Sequence, residues 1–156
     1  MSTWWIDQPT LLGSSNPSDE DLSDLRRQGF TVLISLLHDK KERSNYDVKG
    51  LARAGWSRHS IPVEDFSPPA LAQLHSFVAI VGSAEPATKL VVHCQGGSGR
   101  TGTMAAAYWV SNGLSATAAI ARVRDARPGA IETCEQELSL YKFADEVAAD
   151  AKKGSA

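Results

Sequence analysis

The chain has 156 residues, 42% of them apolar and 22% charged, with a formal net charge of −2. That length suits one core rather than two, and the near-neutral balance excludes a protein that holds nucleic acid or an anionic membrane by overall charge. Its two cysteines, Cys94 and Cys134, lie far apart and show no metal-type spacing to any His, which excludes a disulfide framework and points to a reducing compartment.

The opening "MSTWWIDQPT" lacks the basic start and apolar stretch of a secretory signal, and no apolar run reaches membrane-spanning length, so a cytoplasmic location is expected. Residues 16–29, "NPSDEDLSDLRRQG", open with Ser and acidic residues and end on Arg26, Arg27 and Gly29, the signals of a helix. "FTVLISLL" (30–37) reads as a strand covered on both faces. The charged run Asp39 to Arg43 within "DKKERSNY" reads as a solvated loop that could rim a pocket, with a weak short helix after it around "DVKGLARAG". A second strand is expected over "SRHSIPV" (57–63). Pro68 and Pro69 then start a helix whose Leu71, Leu74, Val78 and Val81 repeat at helical spacing.

"KLVVH" (89–93) is a third buried strand, followed by a helix over 100–113 that Gly113 can cap. Further helices are expected over 115–126, stopped by "RPG", and over 133–151, with Leu140, Phe143 and Val147 on one face. Alternating strands and helices predict a single α/β domain over residues 1–150, with a mainly parallel sheet flanked by helices on both faces, and a flexible tail over 151–156. The stretch "HCQGGSGRTG" then falls at a strand-to-helix turn on the carboxyl edge of the sheet, where such folds bind ligands.

That turn is built for an anion. Backbone N–H groups from Gln95, Gly96, Gly97, Ser98 and Gly99 can converge on one point at a helix N-terminus, and Arg100 adds a planar fork matched to two phosphate oxygens. Cys94 sits at the lip, where the same field favours thiolate over thiol. An acid for the leaving oxygen is available in "VEDFSPP", where Glu64 and Asp65 end a strand. The 29 positions from Asp65 to Cys94 leave room for one helical crossover between adjacent strands.

"HCQGGSGRTG", "DFSPP" and "RPGAIETCEQE", in this order, resemble the signature, the acid loop and the late segment of the cysteine-dependent protein tyrosine and dual-specificity phosphatases, especially the small atypical members and their archaeal and bacterial relatives. The resemblance covers nearly the whole chain and implies the protein tyrosine phosphatase fold. By position it implies Cys94 as nucleophile, Arg100 as phosphate clamp, Asp65 as acid and then base, and Thr101 as the hydroxyl that stabilises the departing thiolate. It implies Gln136 as the residue that positions water, His93 as a support that orients the cysteine backbone, and Glu132 as a neighbour of less certain role. No metal or organic cofactor is implied. Close relatives often carry proline where this chain has Glu64, which leaves the acid open to a swap.

The expected activity is hydrolysis of phosphotyrosine, with phosphoserine and phosphothreonine as further substrates, through a phosphocysteine intermediate. Alternatives are a phosphoinositide or small phosphate-ester phosphatase and a non-catalytic phosphate-binding module. The loop carries no lysine to meet extra phosphates, which counts against the lipid reading. Expected partners are a phosphorylated protein or peptide and phosphate, sulfate or vanadate in the loop, with neither nucleic acid nor membrane, on a monomer. Several residues also have plainer readings: Gln136 as an exposed helical residue, Arg127 as part of a helix stop, Cys134 as a helix-start thiol, Trp4 and Trp5 as cover for the sheet edge, and His38, His59 and His75 as structural.

Overall fold

The continuous apolar runs of the sequence become the centre of a five-stranded sheet in the computed structural model, which describes residues 1–154. An antiparallel hairpin of β1 (Thr3–Asp7) and β2 (Leu11–Ser14) forms one side. Parallel strands β3 (Phe30–Ser35), β4 (Ser57–Ser60) and β5 (Lys89–His93) complete it, in the order β1-β2-β5-β3-β4. Pairing runs past the ends of the strands: Ile61 N–H donates to Ser35 O at 2.9 Å and Val63 N–H to Leu36 O at 3.1 Å, skipping Pro62, which has no N–H.

Side chains alternate across the strands and feed two cores. Leu12, Leu33 and Val91 face Leu22 and Leu25 of α1 (Asp19–Arg27), with Tyr46, Leu51 and Trp56. Ile34, Leu90 and Val92 face the larger core. That core is shared by α2 (Leu71–Gly82), α3 (Gly99–Ser111), α4 (Ala116–Ala126) and α5 (Cys134–Gly154). Helices therefore cover both faces, one on the first and four on the second.

The caps follow from sequence. Ser18 and Asp21 form a reciprocal capping box at α1, which holds the Asp21 carboxyl below its usual range through the Ser18 backbone N–H. Ser115 caps α4 by accepting the Ala118 N–H at 3.1 Å. Pro68 and Pro69 precede α2 rather than opening it, because its capping is done by Gln73, which accepts the Ala70 N–H at 2.9 Å and donates to Pro62 O at 2.7 Å. The short helix expected near residue 48 is a single 3-10 turn, Val48–Gly50.

Three expectations need correction. The hairpin strand β2 has no counterpart in the sequence reading, since "LLGS" is too short and too irregular to alternate. Asp65 and Cys94 do not follow adjacent strands: the crossover through α2 leaves β4 and returns at β5, with β3 between them. The expected tail is helical through Gly154, an extension of α5, and residues 155 and 156 lie outside the described residues. No helix among the described residues is long and apolar enough to cross a membrane.

One row of partners fixes where the site falls. Ser14, His93, Ser35 and Ser60 stand side by side at the carboxyl ends of β2, β5, β3 and β4. The segments that follow those four residues carry Asn16, Cys94, Glu42 and Asp65, and all project from the same edge.

Candidate active site

The chain leaves β5 at His93 and curls through residues 94–98 into α3, whose first N–H groups have no carbonyl one turn earlier to receive them. Cys94 lies at the bottom, 2% exposed. Its Sγ accepts the Gly97 N–H at 3.2 Å and the Thr101 hydroxyl at 3.1 Å. Gly97 must be glycine twice over: its φ is +78°, and a Cβ there would stand 2.7 Å from the Ser14 backbone. Gly99 packs beside Glu132, whose carboxyl group would meet a Cβ at 3.0 Å.

Arg100 is buried, and its fork is fully engaged on one edge. Its two terminal nitrogens bind the two oxygens of Glu42 at 2.7 and 2.9 Å, and one of them also donates to Val63 O at 2.9 Å. The other lies 3.2 Å from Asp65 Oδ1. Nε is buried with no protein partner among the described residues. Burial works against this charge, but the hydrogen bonds to Glu42 and the surrounding negative charge outweigh it and raise the pKa. The same bond to Arg100 holds the Glu42 carboxyl below its ordinary range.

Asp65 and Glu64 separate cleanly. Asp65 points to Arg100 and also accepts the Phe66 N–H at 3.0 Å. Phe66 is itself held at φ 60°, a left-handed conformation costly for a non-glycine residue. Glu64 points away and is paired with Lys41, which lowers its pKa. Of the two adjacent carboxylates, only Asp65 faces the cradle.

His93 is fully buried, and its Nδ1 lies 3.1 Å from Cys94 O. A carbonyl only accepts, so Nδ1 carries the proton and Nε2 accepts the Tyr46 hydroxyl at 2.8 Å. Burial pushes its pKa down to about 4, so the ring is neutral at neutral pH.

Gln136 is fully buried rather than an exposed helical residue. Its Oε1 accepts the N–H groups of Glu132 and Thr133 at 2.8 and 3.2 Å, and its Nε2 donates to Ser67 O at 3.3 Å. It thereby ties the start of α5 to the acid loop. Cys134 is exposed and free. Gln95 is exposed, its side-chain oxygen accepting from Asn16 Nδ2 at 3.2 Å. Arg127 does more than stop α4: it donates to Ser98 Oγ at 3.1 Å and to Gly96 O at 3.3 Å.

Two residues of the site escaped the sequence reading. Glu42 was read only as one member of the charged run Asp39 to Arg43, a solvated loop after β3 that could rim a pocket, and nothing in that run singled it out as the partner of Arg100. Tyr46, the partner of His93, carried no local signal at all. No group of three His, Cys, Asp or Glu side chains among the described residues could hold a metal ion.

Comparison with known proteins gives a consistent result. The family model "PTP-SAK: Swiss Army Knife protein, DSP-PTPase phosphatase domain" matches residues 2–140. The human dual specificity protein phosphatase CDC14C is 37% identical over 118 residues, which is 75% of this chain and 25% of that protein. The chain thus spans about a quarter of the length of the relatives it matches first. The mouse protein tyrosine phosphatase type IVA 3 is 25% identical over 140 residues, 85% of this chain and 78% of that one. Among solved structures, Tk-PTP in its active form superposes with a TM-score of 0.83 at 31% identity, covering 92% of this chain and 97% of that one. PTPMT1 in complex with PI(5)P superposes with a TM-score of 0.86 over 96% and 98% of the chains, at 24% identity, a likeness of fold.

Proposed function

The chain belongs to the dual-specificity and protein tyrosine phosphatase family, and from that premise we propose that it hydrolyses phosphotyrosine in proteins, with phosphoserine and phosphothreonine as further substrates, through a phosphocysteine on Cys94. The observation that carries this reading is the convergence on one cradle of a sulfur holding two donated hydrogen bonds, at 3.2 and 3.1 Å, and a buried guanidinium 3.2 Å from Asp65.

In the first step Cys94 Sγ attacks phosphorus, the bond to the ester oxygen breaks, and Asp65 gives its proton to that oxygen. Arg100 holds two non-bridging oxygens through the edge that Glu42 leaves open, where Nε is unpartnered. In the second step Asp65 takes a proton from water, the water oxygen attacks phosphorus, and the sulfur leaves as thiolate toward the Thr101 hydroxyl. Neutral His93 takes no part in proton transfer and fixes the Cys94 carbonyl. Gln136 acts through the acid loop and the turn before α5 that it ties together.

Phe66, 62% exposed beside Asp65, offers a ring face to a phosphotyrosine side chain. Residues 95–99 carry no cation for additional phosphates, and the likeness to PTPMT1 brings no residue-level support for a lipid headgroup.

The test is turnover of para-nitrophenyl phosphate against pH, with chelator present, for the wild type beside Cys94→Ser. The expected result is a bell-shaped profile that survives chelation and disappears with the serine. Chelator-sensitive turnover, or turnover undiminished in Cys94→Ser, overturns the reading.

A further inference from the structure

Four successive carbonyls of the cradle are each held from outside. Gln95 O accepts the Asn16 N–H at 3.0 Å, and Gly96 O accepts an Arg127 guanidinium N–H at 3.3 Å. Gly97 O accepts the Trp4 indole N–H at 2.8 Å, and Ser98 O accepts the N–H groups of Gly102 and Ile131 at 2.9 and 3.3 Å. In a trans peptide the carbonyl and the following N–H point in opposite directions. Anchoring these oxygens outward therefore turns the N–H groups of Gly96, Gly97, Ser98 and Gly99 inward. One of the four can be checked directly, since the Gly97 N–H does reach Cys94 Sγ, at 3.2 Å.

Glycines make such a loop soft. The peptides joining Gln95, Gly96, Gly97 and Ser98 include two glycines in sequence, and a flip of one peptide would turn a donor outward and a carbonyl oxygen into the anion site. The grip that opposes this comes from distant parts of the chain. Trp4 lies in β1, and its indole crosses β2 so closely that a Cβ on Gly13 would stand 2.8 Å from it. Arg127, at the end of α4, reaches Ser98 Oγ at 3.1 Å as well as Gly96 O, and also Ser2 Oγ at 2.9 Å.

We infer that Trp4 and Arg127 are positioning residues of the phosphatase site, which hold the phosphate loop in its N–H-inward form by clamping the Gly96 and Gly97 carbonyls from the N-terminal strand and the end of α4. The inference rests on the phosphate-binding reading of the loop. Neither side chain needs to touch the substrate. Each lowers the population of flipped loops, so loss of a clamp reduces the binding-competent fraction and weakens oxyanion binding by that factor.

The experiment compares wild type with Trp4→Phe, which removes the donor and shortens the indole to a single ring, and with Arg127→Met and Arg127→Lys. Vanadate affinity is measured by titration, alongside KM and kcat for para-nitrophenyl phosphate and the melting temperature. In Trp4→Phe and Arg127→Met, the vanadate Kd and KM are expected to rise together, by at most about fivefold, the ceiling that one lost hydrogen bond sets on the shift toward flipped loops, with kcat held within about twofold. Arg127→Lys, which retains a donor, is expected to recover part of the loss. Vanadate Kd and KM unchanged in both Trp4→Phe and Arg127→Met, whatever happens to melting, overturn the inference and make these contacts ordinary packing. Vanadate binding without turnover in the wild type would sink the catalytic reading alone, because the clamp is still read from vanadate affinity.

Discussion

Two neighbouring residues, Lys41 and Glu42, enter ion pairs at the same rim with opposite consequences. Lys41 meets Glu64 in the open, with side chains 62% and 54% exposed. Glu42 meets Arg100 where the side chains are 15% and 1% exposed. Water screens the first pair and can replace either partner. The second is shielded, so removing Glu42 leaves a buried guanidinium with only the half-exposed Asp65, 3.2 Å away, to match its charge. A run of five charged and polar residues thus contains one structural necessity, and burial, which is set by the distant Arg100, decides which residue it is.

The sharpest way to break this comparison is at the next pair of adjacent carboxylates. Asp65→Asn is expected to lower turnover of phenyl phosphate, whose leaving group needs a proton, by about 10³-fold, and to spare an activated ester far more. Glu64→Gln, which disturbs only the exposed pair, should leave both rates unchanged. Equal effects of the two substitutions would assign the acid to neither residue alone. Next in size, Glu42→Gln keeps the shape and removes the charge beside Arg100. Urea unfolding should show a loss of about 3 kcal/mol, in the range for a broken buried pair, together with a raised KM. An unchanged midpoint would mean that Val63 O and Asp65 suffice to hold the guanidinium.

What was legible in the sequence follows the range of the forces involved. β5, α3, α4 and the whole loop from Cys94 to Thr101 could be placed because their signals are local: apolar runs, caps and glycine spacing. The hairpin strand β2 could not, because it exists through pairing with β5, whose residues lie far along the chain. Gln136 was balanced between function and exposure because its partners, Ser67 and the Glu132 N–H, are assembled only when the acid loop packs on α5. Trp4 was assigned to sheet cover on composition alone, and its bond to Gly97 O spans nearly the whole sequence of the site. Chemistry written in one turn was readable, while the contacts that support it from elsewhere were not.

His93 offers the other solution to a buried titratable group. Arg100 keeps its charge because a carboxylate meets it, whereas His93 faces a carbonyl and a hydroxyl, neither of which can balance a positive ring, and so it remains neutral. Its pKa falls from 6.5 to about 4 on folding, so between those values the unfolded chain binds a proton that the folded chain refuses. Stability from this group is therefore complete above about pH 6.5 and declines as pH drops toward 4, by about 2 kcal/mol between pH 7 and pH 5. His93→Gln, which cannot titrate, should be less stable at pH 7 and should lose less on acidification. Urea midpoints at the two pH values measure both curves, and parallel slopes would show that His93 takes up its proton inside the fold. In that case Tyr46, which also accepts from Arg58 Nε at 3.5 Å, would have to turn its hydroxyl away and accept from the ring instead.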